Sequence, residues 1–323
     1  MPRIMSTNPD SEVSQGISRR RFFGTGALGT LAAGFGFRAA GVEALGRQGP
    51  ARLRLSLAAY SFRDFFKDQP NGKEPKGAAI RPMDMPGFID YCAAQGCDGA
   101  ELTAYYFPKE LTPELLLGLR RHAFLRGVSV SGSAVGNTFT LPAGPRRERE
   151  VAAVKQWIEH ARVLGAPHIR VFAGGLEGQT QAEARKNCIE ALEECGEAAG
   201  RAGVFLGIEN HGGIVAEADE LLAIVRAVKN PWVGINLDTG NFHSEDPYAD
   251  LAKCAPYAVN VQVKVELRRK GAKAEATDLG RIVGLLRDSG YQGWVALEYE
   301  SAEDPYLAVP RHLEALGRAM RQG

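Results

Sequence analysis

Short apolar runs alternate with longer segments of helical periodicity from residue 51 to the C-terminus. Eight of these runs are five to seven residues long and rich in Val, Ile and Leu. Such runs are typical of buried strands in a parallel sheet. The predicted strands are Leu53–Ala59, Gly99–Thr103, Val128–Ser133, Ile169–Ala173, Val204–Glu209, Val233–Asp238, Val259–Val265 and Trp294–Glu298.

Amphipathic segments separate the strands. "TPELLLGLRRHAFLRG" begins with Thr112 as N-cap and Pro113 at the first helical position, and it ends at Gly127. Eight strand–helix units in about 270 residues predict an α/β fold, the parallel (β/α)8 TIM barrel. A doubly wound open sheet is the structural alternative, but no GxGxxG follows the first strand. The segments 67–82 and 137–150 are expected to be long loops at the mouth of the barrel.

The segment "NVQVKVEL", residues 260–267, alternates apolar and polar positions with a period of two. In a barrel strand one face packs against helices and the other points into the lumen, so Asn260, Gln262 and Lys264 are expected inside. Buried polar groups and charges are costly unless they are paired or bind a metal. The polar row therefore predicts a functional site.

Three other strands end on an acid, namely Glu209, Asp238 and Glu298. Carboxylates gathered in one lumen need a counter-cation. Their oxygens, with the amide oxygen of Gln262, suit Mn²⁺, Mg²⁺ or Co²⁺ better than Zn²⁺. Each acid alone is equally consistent with a strand-end cap or an ion pair, but the set predicts one divalent metal, with Mn²⁺ favoured.

Composition narrows the function classes. The net charge of +1 gives no electrostatic case for binding nucleic acid or an anionic membrane. The five cysteines include no CxxC pair and are expected to be buried free thiols. The sequence leaves a homo-oligomer open.

The N-terminal segment "SRRRFF", from Ser18 to Phe23, precedes a short apolar run rich in Gly and Ala. It resembles a twin-arginine export signal. Residues 1–44 are therefore predicted to be the signal and residues 45–323 the barrel domain. The resemblance implies the twin-arginine export machinery as a partner, a periplasmic location and uptake of any cofactor before export.

The barrel segments resemble the xylose isomerase-like superfamily of sugar isomerases and epimerases. The likeness lies in "LAAYSFRD", "GAELTAYYF", "IENH", "INLDTGN", "VQVKVE" and "VALEYE". In that superfamily Glu, Asp, His and Glu hold the metal. Glu209, Asp238 and Glu298 match those positions, and Gln262 stands at the His position. Asn241 also replaces a frequent His, which leaves His243 to supply an imidazole or to be a surface residue.

The resemblance implies a metal-dependent isomerase or epimerase acting on a keto-sugar through an enediolate, with Glu209 and Glu298 moving the proton and Lys264 stabilising the enediolate or forming an ion pair. His211, Asn241, Tyr60 and Glu101 are expected to contact a carbohydrate substrate. The sugar is expected to lack phosphate, although Arg170 is a candidate phosphate ligand.

Two alternatives use the same barrel. A metal-dependent lyase or hydrolase of an oxidised (3-keto) glycoside would release water or an aglycone. A carbohydrate-binding barrel without catalysis would account for Gln262 and Asn241. An endonuclease-like enzyme needs a histidine-rich zinc cluster that six scattered histidines do not provide.

Overall fold

Eight parallel strands close into a barrel, which confirms the predicted TIM barrel. The structure is a computed structural model that describes residues 41–67 and 81–322. The barrel strands are β1 Arg52–Ala58, β2 Gly99–Thr103, β3 Ser129–Ala134, β4 His168–Val171, β5 Phe205–Glu209, β6 Val233–Asp238, β7 Ala258–Val263 and β10 Gln292–Leu297. They follow one another around the barrel in the order β1-β10-β7-β6-β5-β4-β3-β2. Each strand begins and ends within two residues of its predicted bounds.

In the described part of the chain, eight α-helices pack around these strands. They are α1 Met85–Ala94, α2 Pro113–Leu125, α3 Pro145–Leu164, α4 Gln181–Ala202, α5 Ala218–Ala227, α6 Pro247–Cys254, α7 Leu279–Asp288 and α8 Pro305–Arg321. The Thr112 side chain accepts from the Leu115 N–H at 3.2 Å, as the predicted N-cap of α2 should. None of the helices among residues 41–67 and 81–322 is both long enough and apolar enough to span a bilayer.

The structure differs from the sequence predictions in one loop and one hairpin, and other predictions fall on residues that it does not describe. The predicted loop 137–150 is shorter, because α3 begins at Pro145. A small antiparallel hairpin, β8 Glu266–Arg268 with β9 Ala274–Ala276, follows β7 and was not predicted. Most of the other loop, residues 68–80, and residues 1–40 of the predicted export signal lie outside the described residues. The export signal, its cleavage and the domain boundary stay predictions.

The apolar side chains of the strands fill the space between the barrel and the helices. Val261 and Val263 of β7 are fully buried there. The five cysteines are all buried and free, as expected. The polar residues of β7 point the other way, into the lumen, so the period of two separates the packing side of this strand from its chemical side.

Close packing inside the barrel depends on Gly132 of β3. A Cβ at this position would lie 2.1 Å from Cε1 of His168 on the neighbouring strand. We expect Gly132→Ala to lower the free energy of unfolding by about 1–3 kcal/mol, because overpacking a rigid core forces its neighbours to shift. Urea denaturation measures this.

Gly118, in the exposed interior of α2, is the matched control, because nothing lies within 4 Å of a Cβ there. Gly118→Ala is expected to be neutral or to stabilise the protein by about 0.5–1 kcal/mol. Equal effects at the two glycines would contradict the packing described for the lumen.

Candidate functional site

A buried network of amides and one carboxylate crosses the middle of the lumen. Glu101 accepts hydrogen bonds from Nδ2 of Asn260 at 2.8 Å and from Nε2 of Gln262 at 2.6 Å. Asn236 donates to Oε1 of Gln262 at 2.6 Å and accepts from Asn260 at 2.8 Å. Glu101 is fully buried in this network. The structure therefore places it away from the accessible substrate surface that the sequence predicted.

Above this network, four charged side chains follow four neighbouring strands. Glu209 ends β5, Asp238 ends β6, Lys264 follows β7, and Glu298 follows β10. These strands are consecutive around the barrel, as predicted, so their carboxyl ends meet along one half of the mouth. All four residues are buried. The catalytic candidates are thus brought together in one low-dielectric site.

The Lys264 ammonium lies at the centre of three carboxylates. Its Nζ is 2.7 Å from Oε2 of Glu298, 3.2 Å from Oδ2 of Asp238 and 3.0 Å from Oε1 of Glu300. The contact with Glu298 is a hydrogen bond, and the contacts with Asp238 and Glu300 are ion pairs. An ammonium has three N–H donors, so Lys264 can donate to a further acceptor while it stays bonded to Glu298. The ion pair with Glu298 and Glu300 that the sequence left open is present, and Asp238 joins it.

A second cation holds Glu209. Nε of Arg170, on β4, is 2.9 Å from Oε2 of Glu209, and Asn241 donates to Oε1 at 2.9 Å. Arg170 also donates to the carbonyl of Val135 at 2.9 Å, and its guanidinium lies 3.9 Å from the centre of the Phe172 ring. Arg170 is therefore fixed by packing as well as charge. Its role is to pair Glu209, and no phosphate is needed to explain its position.

The pKa values of the three carboxyl groups differ because burial and the neighbouring charges act on each of them differently. Desolvation and the neighbouring carboxylates raise the pKa of Glu209 to about 8, although Arg170 opposes the shift. Desolvation likewise raises the pKa of Asp238 to about 7, against the opposing ammonium of Lys264. Burial also acts to raise the pKa of Glu298, but Lys264 overcomes it and the net pKa is lowered. Near neutral pH the site therefore holds an ionised Glu298 beside a largely protonated Glu209.

These shifts predict how stability depends on pH. Carboxyl groups of the unfolded chain lose their protons near pH 4. In the folded protein the pKa is about 8 for Glu209 and about 7 for Asp238, so these two groups stay protonated to higher pH. Unfolding between these values releases protons, so these two groups make stability fall as pH rises from about 4 to about 8. Urea denaturation at several pH values measures this, and Asp238→Asn should flatten the fall. Parallel curves for both proteins would contradict the shifted pKa of Asp238.

A cavity of about 290 Å³ opens over Lys264 at the mouth. Asn241, His243 and Glu300 line it, together with residues of the β8–β9 hairpin. This volume lies near the lower end of ligand pockets in proteins and suits a small polar molecule. His243 is exposed at this cavity, so it is placed to meet a ligand at the mouth.

Two further predicted substrate contacts lie close to the same mouth. Tyr60 lies in the turn after β1, half-buried, and its pKa is raised by desolvation and then by the charge of Glu300. His211 follows β5, and its ring centre lies 4.6 Å from that of Phe172. Both follow the carboxyl ends of barrel strands, and their contact with a substrate stays a prediction.

The predicted metal ligands do not form an open metal site in this arrangement. Within the described part of the chain, no group of three or more His, Cys, Asp or Glu side chains is arranged to hold a metal ion. The oxygens of Glu209 face Arg170 and Asn241, and Lys264 lies against Asp238 and Glu298. The donor set therefore does not fit a divalent ion as it stands, and the metal stays a prediction of the sequence.

Sequence reasoning missed two partners of the site. The sequence suggests Arg170 only as a phosphate ligand, and it gives Asn236 no role in catalysis or binding. A signal for Asn236 existed, because it lies two residues before Asp238 and so shares its lumen-facing side. The pairing of Arg170 with Glu209 joins β4 to β5, and no spacing within either strand indicates it.

Comparisons with known proteins agree with this fold. Curated relatives named "Putative hydroxypyruvate isomerase" are 26% identical in Homo sapiens, over 244 residues, and 24% identical in Xenopus laevis, over 239 residues. The alignments cover 68% of this chain and 87% and 86% of those proteins. Sugar isomerases and epimerases are thus its neighbours.

Solved structures extend the likeness of the fold. D-psicose 3-epimerase in the presence of D-fructose superimposes with a TM-score of 0.64 at 16% identity, covering 83% of this chain and 97% of that one. The 3-keto-D-glucoside 4-epimerase from E. coli gives 0.61 at 16% identity, covering 83% and 99%. Residues 89–316, more than half of the chain, match one protein family. The chain belongs to the xylose isomerase-like TIM barrel family.

Proposed function

We propose that this protein is a sugar isomerase or epimerase that moves a proton on a small, unphosphorylated keto-sugar through an enediolate. The observation that carries the proposal is the gathering of two buried glutamates and one ammonium at the same end of neighbouring strands. Lys264 Nζ lies 2.7 Å from Glu298, whereas Glu209 is held by Arg170 and Asn241 and burial raises its pKa to about 8. One group is ready to accept a proton near neutral pH and the other to donate one. General acid–base catalysis works best when the catalytic pKa lies near the working pH, as that of Glu209 does.

The reaction begins with removal of a proton from the carbon beside the ketone. The Glu298 carboxylate accepts the proton, the C–H electron pair forms the C=C bond, and negative charge develops on the ketone oxygen. Lys264 donates a hydrogen bond to that oxygen in the buried site, where a fixed positive charge stabilises the enediolate strongly. Glu209 then gives its proton to the opposite face of the same carbon, which restores the ketone and yields an epimer. An isomer forms if the proton goes to the neighbouring carbon while the hydroxyl proton of the enediolate moves to the other oxygen.

Asp238 is available to orient the substrate. Its Oδ2 is buried and has no hydrogen-bond partner, although Lys264 Nζ lies at 3.2 Å. A substrate hydroxyl would supply the missing donor, and buried polar atoms are rarely left without one. Asn241 lines the cavity and donates to Glu209, and Lys264 lines it and contacts Asp238, so a substrate in the cavity would lie one side chain away from both acids.

The charge of the site favours a neutral substrate. Glu209, Asp238, Glu298 and Glu300 outnumber the two cations Arg170 and Lys264. Near neutral pH Glu209 is largely protonated, and the remaining carboxylates still balance the two cations. The negative charge of a carboxylate such as hydroxypyruvate, the compound named in the curated relatives, would therefore find no unpaired cation. A keto-sugar carries no such charge.

The test is a panel of unphosphorylated ketohexoses, ketopentoses and 3-keto-glucosides, with hydroxypyruvate included, incubated with the protein in D₂O. We expect a neutral keto-sugar to gain deuterium at one carbon and to give an isomer or epimer as product. Release of water or an aglycone would replace the proposal with the lyase or hydrolase alternative. Binding of a sugar without any deuterium uptake would support a carbohydrate-binding barrel.

A further inference from the structure

We propose that the Lys264 ammonium takes the place of the divalent ion, so that the catalytic electrophile is a side chain and the reaction needs no metal. This inference rests on the proposed function for its catalytic part, but its structural part concerns the site alone. Three independent features of the donor set support it: the surroundings of Lys264, the pairing of Glu209, and the orientation of the Gln262 amide.

The surroundings of Lys264 are those of a bound cation. Its Nζ lies between 2.7 and 3.2 Å from oxygens of Glu298, Glu300 and Asp238. Two of these carboxylates, those of Asp238 and Glu298, belong to the predicted metal ligands. The side chain is 11% exposed, and it lines the cavity at the mouth. The positive charge is thus within reach of a ligand that enters from the mouth.

The contacts of Glu209 leave little room for a metal ion at its carboxylate. Its two oxygens meet Nε of Arg170 and Nδ2 of Asn241, each at 2.9 Å. Arg170 is buried and is held in addition by the Val135 carbonyl and the Phe172 ring. A divalent ion on Glu209 would lie beside a guanidinium that cannot move away, and like charges at such distances repel strongly in a buried site.

The orientation of Gln262 is set by the network beneath it. Its Nε2 donates to the Glu101 carboxylate at 2.6 Å, and its Oε1 accepts from Asn236 at 2.6 Å. Turning the amide over would bring Oε1 against the carboxylate, which can only accept hydrogen bonds when it is ionised. The oxygen that was predicted to bind the metal is therefore committed to Asn236.

The chemical step stays balanced without a metal. Breaking the C–H bond sends the proton to Glu298 and the electron pair into the enediolate, whose oxygen accepts a hydrogen bond from Lys264. The proton that completes the reaction comes from Glu209. No oxidant, reductant or further reactant is required.

The test measures Mn²⁺ binding by electron paramagnetic resonance of the chelator-treated, folded protein, and needs no substrate. We expect no stoichiometric Mn²⁺ site in the wild-type protein. We expect Lys264→Met to bind Mn²⁺ at least about 100-fold more tightly, because the competing charge is gone from among the carboxylates. Mn²⁺ should also raise the melting temperature of this variant.

Lys253 provides the matched control. It contacts the carboxylates of Asp250 and Asp219 on the outer surface, so Lys253→Met removes a paired lysine far from the lumen. This variant is expected to bind no more Mn²⁺ than the wild type.

One equivalent of Mn²⁺ in the wild-type protein that is lost in Asp238→Asn would overturn the proposal. A folded Lys264→Met that gains no Mn²⁺ site would refute the claim that the ammonium holds the place of the ion. If Lys264→Met does not fold, the wild-type measurement still decides. A sugar panel without deuterium uptake would end the proposed function but leave the binding result standing.

Discussion

Replacing Glu209 with Gln should lower kcat/KM for keto-sugar conversion by about 10³, within the range that general acid–base groups contribute. The amide cannot donate a carboxyl proton, and the pKa of about 8 that makes Glu209 a proton donor near neutral pH is lost. The rate of the wild-type enzyme should also fall as pH rises through about 8, whereas the residual rate of Glu209→Gln should not. NMR detection of the product at several pH values measures both.

Glu194 is the control for Glu209, because it also pairs with an Arg and a Lys. It contacts Arg147 at 3.3 Å and Lys155 at 2.8 Å between α3 and α4, outside the lumen. Glu194→Gln is expected to leave kcat and KM unchanged. A folded Glu209→Gln enzyme with wild-type turnover would remove Glu209 from the mechanism.

Replacing Lys264 with Met should have two large effects. The kcat should fall by about 10²–10³, as it does when a donor to a developing oxyanion is removed. The free energy of unfolding near neutral pH should fall by about 3–5 kcal/mol, because Asp238 and Glu298 lose the cation that compensates their buried charge. Single-turnover kinetics and urea denaturation measure the two effects separately.

The pH dependence distinguishes this account of Lys264 from a simple packing defect. Without the ammonium the carboxyl groups hold their protons more tightly, so the variant should lose stability more steeply than the wild type as pH rises. The control Lys253→Met should follow the wild-type curve. A loss of stability that is the same at pH 5 and pH 8 would contradict the charge-pairing role of Lys264.

The pattern of apolar and polar positions was sufficient to predict the eight strands, their order in a barrel and the neighbouring acids at its mouth. The prediction was wrong beyond Val263, because the alternating run of residues 260–267 belongs partly to β7 and partly to β8. The chain leaves the barrel after Val263, and Leu267 is buried in the β8–β9 hairpin instead. A period of two identifies extended backbone but does not reveal where one strand stops and another begins.

The partners of each polar group were harder to predict than its position. The sequence placed Gln262 in the lumen correctly, but its hydrogen bonds to Glu101 and Asn236 depend on how three strands are aligned. The same holds for Arg170 with Glu209, which join neighbouring strands in the register Arg170 with Gly207. Side-chain direction follows from local periodicity, whereas pairing needs the three-dimensional register.

The most direct test of the account is the conversion of a keto-sugar by chelator-treated wild-type protein in D₂O, with mass spectrometry and NMR of the product. We predict one deuterium at the reacting carbon and a rate that added Mn²⁺ does not raise, because Glu298 and Glu209 exchange protons with solvent while Lys264 supplies the charge. A product without deuterium would mean that hydrogen passes directly between carbons. Conversion only after Mn²⁺ is added would mean that a metal, and not Lys264, is the electrophile.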